Sequence, residues 1–120
     1  MAQFLVHIHS GLENPNKATL GFLVALTALK AGHKVDLFLA GDGAALIADS
    51  ALSQLEGKGT GRLDAHFQGL TSGGARFYVS GMSAKARRLS EADLSGNPAE
   101  FAMPDVLVKL AAEADVVLTY

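Results

Sequence analysis

Short apolar runs separated by helix-length stretches restrict the fold of this chain more than any other feature. Residues 3–9 hold Phe4, Leu5, Val6 and Ile8 in an almost unbroken series. Such a run suits a strand covered on both faces, as in a parallel sheet. Residues 35–40 read as a second strand and Arg76–Ser80 as a third. Phe101-Ala102-Met103 could form a short fourth, and residues 115–119, with Val116-Val117-Leu118, a last one. Asn14 can cap a first helix and Pro15 suits its first position; Gly32 stops it near Ala31. Residues 44–55 are weakly helical and Ala-rich, and 56–59 read as a flexible link. Thr60 can cap a helix over 61–70, with Leu63, Phe67 and Leu70 on one face. A short helix over 84–89, a polar loop over 90–98 and a helix from Pro104 to about Ala114 complete the chain. The alternation predicts an α/β fold: a single domain, 1–120, forming a three-layer α/β/α sandwich with a mainly parallel sheet of about five strands.

The first helix is unusual. Between Ala18 and Leu29 its only polar residues are Thr19 and Thr27. A helix apolar nearly all round is buried on more than one side. With 49% hydrophobic residues in a small domain, the expected second side is another subunit, giving a homo-oligomer.

Composition removes several function classes. The chain has no cysteine, so disulfides, thiolate metal sites and thiol catalysis are out. With 10 basic and 12 acidic residues and a net charge of -2, there is no electrostatic footprint for nucleic acid. The densest basic cluster, Lys85-Ala86-Arg87-Arg88, is too short to carry one. No stretch is long and clean enough to span a bilayer, and the opening residues do not form a signal peptide. The expectation is a soluble, cytoplasmic protein with no membrane partner.

The stretch 75–87 carries the strongest hint of a site. It reads as a strand, a Ser80-Gly81 turn and the start of a helix. In open parallel sheets, ligands bind at the carboxyl ends of the strands. Ser80 has three readings: nucleophile, hydrogen-bonding contact to a ligand, or turn residue. Its surroundings are not a G-x-S-x-G elbow, so no catalytic residue is assigned. Ser83 is the expected N-cap of a helix beginning at Ala84, and Lys85 and Arg87 either add charge for an anion or form a solvated face. Ser10, Gly11 and Asn14 lie on the first strand-to-helix loop, which lacks both the dinucleotide fingerprint and the P-loop pattern. Asp42, within Gly41-Asp42-Gly43, either faces the same edge or caps the next helix. The candidate ligand-binding set is therefore Ser10, Gly11, Asn14, Asp42, Ser80, Gly81 and Ser83. His7 and His9 point to one face of the first strand, while His33 and His66 are scattered. Two imidazoles do not complete a metal site, so neither metal nor cofactor is expected.

In this order, four stretches resemble the DsrE/DsrF-like family of small sulfur-relay and sulfur-oxidation proteins, which includes TusD-like members. They are the loop and helix from Ser10-Gly11 to Ala25-Leu26-Thr27-Ala28, and Ala31-Gly32-His33-Lys34-Val35 running on to Gly41-Asp42-Gly43. The others are Phe77-Tyr78-Val79-Ser80-Gly81-Met82-Ser83-Ala84-Lys85-Ala86-Arg87 and the closing Ala114-Asp115-Val116-Val117-Leu118-Thr119-Tyr120. The resemblance implies a five-stranded parallel sheet, assembly into trimers or hexamers, and a DsrE-like or sulfur-carrier partner. It also implies a cysteine at the end of the third strand that accepts sulfur as a persulfide. Ser80 occupies that position, and a serine hydroxyl cannot become a persulfide. The expectation is thus a non-catalytic or accessory member binding a small anionic ligand or a partner protein. The alternatives are a small hydrolase or transferase using Ser80, and a structural subunit beside a cysteine-bearing homologue.

Overall fold

The fold described here is that of a computed structural model covering residues 1–94 and 96–120. Five strands form one sheet: β1 (Gln3–Ile8), β2 (Lys34–Leu39), β5 (Arg76–Ser80), β6 (Ala99–Ala102) and β7 (Val116–Thr119). Their order is β6-β5-β2-β1-β7, and every neighbouring pair is parallel. A separate two-stranded hairpin pairs β3 (Glu56–Gly57) with β4 (Gly61–Arg62). The helices are α1 (Pro15–Lys30), α2 (Asp49–Gln54), α3 (Leu63–Ser72), α4 (Gly81–Ala86), α5 (Glu91–Leu94) and α6 (Pro104–Glu113), with a 3-10 segment over Gly41–Ile47. The three-layer α/β/α architecture expected from the alternation is present.

Strand order dictates how the layers fill. From β1 to β6 the chain advances in one direction across the sheet. Right-handed crossovers then place the intervening helices on a single face. Val6, Ile8, Val35, Leu37, Leu39, Phe77 and Val79 meet Phe22, Leu26, Leu63, Phe67 and Leu70 of α1 and α3 there. After β6 the chain reverses direction to reach β7 beside β1. Its connecting helix, α6, therefore falls on the opposite face. That core is smaller: Leu5, Phe38, Tyr78, Ala102 and Leu110, flanked by Val106, Leu107, Ala111 and Ala114.

The all-round apolar character of α1 is largely used inside the domain. The helix packs on β1 and β2, on α3 and on the β3–β4 hairpin. Thr19 is fully buried, its hydroxyl bonded to the hydroxyl of Thr60 and to the carbonyl of Pro15 at 2.8 Å. Of its large apolar residues only Leu20 is exposed, at 38%, with Leu23 and Val24 half-buried.

Several boundaries differ from the sequence reading. Thr60 does not cap a helix: α3 starts at Leu63 behind Arg62, and the Thr60 carbonyl pairs with His66 Nε2 at 2.6 Å. The expected flexible link over 56–59 instead enters the hairpin, which turns through Gly59 and Gly61 at positive φ. The single helix expected over 44–55 is split at Ala48, whose extended backbone (ψ 140°) ends the 3-10 turn before α2 begins. The fourth strand is Ala99–Ala102 rather than 101–103. Within the polar loop expected over 90–98, Glu91–Leu94 is a helical turn and position 95 lies outside the described residues.

Candidate functional site

The carboxyl ends of β1, β2 and β5 open onto one edge of the sheet, and α4 stands at its centre. It begins at Gly81, three residues before the expected start. Its N-cap is Ser80, not Ser83: the Ser80 Oγ accepts a hydrogen bond from the Ser83 backbone N–H at 3.2 Å. Ser83 has a different task. Its Oγ accepts the Gly41 N–H at 2.8 Å, tying α4 to the turn that follows β2. Gly41 needs its glycine there, because its φ is +55°.

On one side of α4 the edge is closed by charge. Arg87 Nη2 donates to Asp42 Oδ1 at 2.8 Å, and Arg87 also donates to the Ser83 carbonyl at 3.1 Å. Leu12, Glu13, Asp42, Ala45 and Arg87 line a cleft of about 340 Å³ here. Gly11 lies so close to the Asp42 carbonyl that an added Cβ would collide with it. Its own N–H is taken by Glu13 Oε1 at 2.6 Å.

On the other side the edge is apolar and open. Gly81, Met82, Lys85, Ala86 and Met103 line a groove of about 580 Å³. Met82 is 58% exposed and Met103 50%. Met103 reaches over Gly81, where an added Cβ would come within 3.3 Å of its sulfur. Among the described residues, Lys85 makes no ion pair.

The expected site residues are thus brought to one edge but not into one hollow. Asp42 lines the charged cleft, with Gly11 packed against its carbonyl, and Gly81 lines the apolar groove. Ser80 and Ser83 sit between them as the ties of α4. Ser10 is buried, at 4% exposure. Asn14 is committed to α1, where its Oδ1 accepts the Lys17 N–H at 3.1 Å. The sequence reading missed Glu13, Met82 and Met103. The signal was available for the methionines, since two long apolar side chains flank strand ends with no helical stripe to absorb them.

Strand alternation puts Ser80 on the α6 side of the sheet, the same side as His7 and His9. The two imidazoles lie 5.6 Å apart, edge to face, and His7 stands edge-on to Phe38 at 6.1 Å. Burial lowers the His7 pKa, and the neighbouring His9 lowers it further. Its Nε2 is buried without a hydrogen-bond partner among the described residues, an arrangement that favours the neutral ring. No histidine nitrogen bonds to Ser80 among those residues, and no group of three or more metal-ligating side chains occurs there. Among the described residues, no helix is long and apolar enough to cross a membrane.

Lower on the same face lies a second polar cluster. Asp36 is 2% exposed, and Arg76 holds it through Nε at 2.9 Å and Nη2 at 3.1 Å. The guanidinium also lies 5.8 Å from the centre of the Tyr78 ring. Burial raises the Tyr78 phenol pKa, and Arg76 pulls it the other way.

Comparison with known proteins agrees with this architecture. The ychN protein from E. coli has a crystal structure that superposes with a TM-score of 0.81 over 100% of both chains, at 16% sequence identity. A conserved protein of unknown function from Bacteroides thetaiotaomicron, BT1422, superposes at 0.73 over 99% of this chain and 95% of that one, at 7% identity. At such identities the likeness is one of fold. Comparison with curated protein sequences gives no match. The model of the DsrE/DsrF-like family matches residues 2–120, and the chain belongs to that family.

Proposed function

We propose that this chain is an accessory, non-catalytic member of the DsrE/DsrF-like family, one that binds at the carboxyl edge of its sheet and transfers no sulfur. Its ligand is a small anion or a partner protein of the sulfur-relay type. One observation carries the reading: Ser80 ends β5 where the resemblance expects the sulfur-accepting cysteine, and the chain has no cysteine anywhere. Its hydroxyl is instead engaged as the cap of α4. Hydrolysis through Ser80 would need an oriented base, and among the described residues no histidine bonds to it.

The test uses a low-molecular-weight persulfide donor and intact-mass spectrometry. Wild-type protein gains no sulfur, whereas Ser80→Cys gains one sulfur atom. Covalent sulfur on the wild type would overturn the reading, as would labelling of Ser80 by a fluorophosphonate. Assembly and location are part of the same proposal: a cytoplasmic homo-oligomer, trimeric or hexameric, able to pair with a cysteine-bearing homologue. Support comes from the large apolar side chains left at the surface outside the apolar groove, Leu12, Leu20, Val108 and Val117. Light scattering at micromolar concentration giving the mass of a single chain would remove the assembly.

A further inference from the structure

Thioether walls and a lone ammonium define the groove beside Ser80. Met82 and Met103 come from different elements, α4 and the N-cap of α6, and both leave at least half of their surface uncovered. Methionine adapts its shape to varied apolar partners. Gly81 and Ala86 form the rest of the lining and add no polar side chain. Lys85 is the single charged group of the lining, and it has no acidic partner among the described residues. Arg87, two residues on, is neutralised by Asp42 and turned to the other side of α4.

We infer that this groove binds small amphiphilic monoanions, an apolar body lying on Met82 and Met103 and one carboxylate or sulfonate paired with Lys85. The inference rests on the reading above only in placing a ligand at this edge; it names the chemical class. Three features select that class. The volume, about 580 Å³, falls within the ordinary range for small-molecule sites. The hollow is bounded by one short helix, α4, and the residue that precedes α6, which matches the size of a small molecule. One ammonium in an apolar lining balances one negative charge. Inorganic dianions would meet too little charge and lose their hydration against the methionines.

Octanoate serves as the probe, followed through the backbone amide resonances of the whole chain. The expected result is saturable shifts at Gly81, Met82, Lys85, Ala86 and Met103. Lys85→Glu should weaken binding about tenfold, because reversing the charge replaces an attraction with a repulsion. Octanol, with the same chain and no charge, loses only the attraction and should bind about threefold less tightly than octanoate. Met82→Ser with Met103→Ser should abolish the shifts while the remaining spectrum stays that of the folded protein. Octanoate shifts confined to another surface, or an affinity indifferent to Lys85→Glu, would overturn the inference. Sulfate shifting Ser80 and Asp42 while octanoate shifts nothing would also overturn it, yet leave the anion-binding reading standing. Silence from both probes would remove the two together.

Discussion

The two faces of the sheet are built to different standards. The face under α1 and α3 is apolar throughout, with Phe77 set between Phe22 and Phe67 at ring distances of 5.8 and 4.9 Å. The face under α6 has a single helix for cover and carries nearly all the chemistry of the sheet: His7, Asp36, Arg76, Tyr78 and Ser80. Topology explains the division, because only one crossover runs on that side. What the contrast teaches is that the ionisable groups buried or half-buried on the sheet sit on the face where packing is thinnest.

Substitution on each face would sharpen the comparison. Phe77→Ala should cost about 3–5 kcal/mol, because the two flanking rings, Phe22 and Phe67, cannot close the cavity it leaves. Leu110→Ala, at 7% exposure on α6, the one helix covering that face, should cost about 2 kcal/mol, at the low end for such a truncation. Urea melts of both variants decide it, and equal costs would break the contrast. Arg76→Met comes next, at about 1–3 kcal/mol, because it strands the buried carboxylate of Asp36. The half-exposed guanidinium keeps that figure toward its lower end. Adding Asp36→Asn should recover part of the loss; a double variant no better than the single would show that the pair is not the cause.

Ser80→Ala should cost about 1 kcal/mol through the lost cap of α4. Ser80→Gly should cost only a few tenths, since glycine is nearly as good in that position. Indistinguishable melting temperatures for wild type and the alanine variant would deny Ser80 its structural task.

The smallest effect is that of pH. Burial, and then His9, depress the His7 pKa in the folded state, so the fold favours the neutral ring. The stabilisation is whole above the unfolded value, about 6.5, and is lost as pH falls below it through the depressed folded value. Stability of the wild type should therefore fall more steeply between about pH 7 and pH 5 than that of His7→Phe. Parallel curves would mean that His7 is solvated and that the thin face is wetter than its geometry indicates.

The layer plan was legible because it rests on backbone periodicity. The apolar run at Phe4–Ile8 and the Pro15 start of α1 leave few other arrangements. What escaped were choices made by tertiary contacts. Thr60 has the chemistry of a cap, but its hydroxyl is taken by that of Thr19 on α1, and its carbonyl by His66. Ser80 and Ser83 are both competent caps, and only the docking of Gly41 on Ser83 settles which one serves α4. The split of the edge into a charged cleft and an apolar groove was equally hidden. It depends on the direction in which Arg87 leaves α4, which no local pattern records.

Pairing β7 with β1 also bears on how the chain reaches this state. The Gln3 N–H donates to the Asp115 side chain across 112 positions of sequence, and the His9 N–H to the Tyr120 carbonyl. Every other neighbour in the sheet is made by a shorter crossover. Closing so long a segment carries an entropy cost before its contacts form, and topologies of this kind fold slowly. During synthesis β1 can pair with β2 early, while its opposite edge waits for the final strand. In that interval Leu5, His7 and Phe38 lie uncovered, and the face that holds the finished protein's chemistry is the one most open to misassociation.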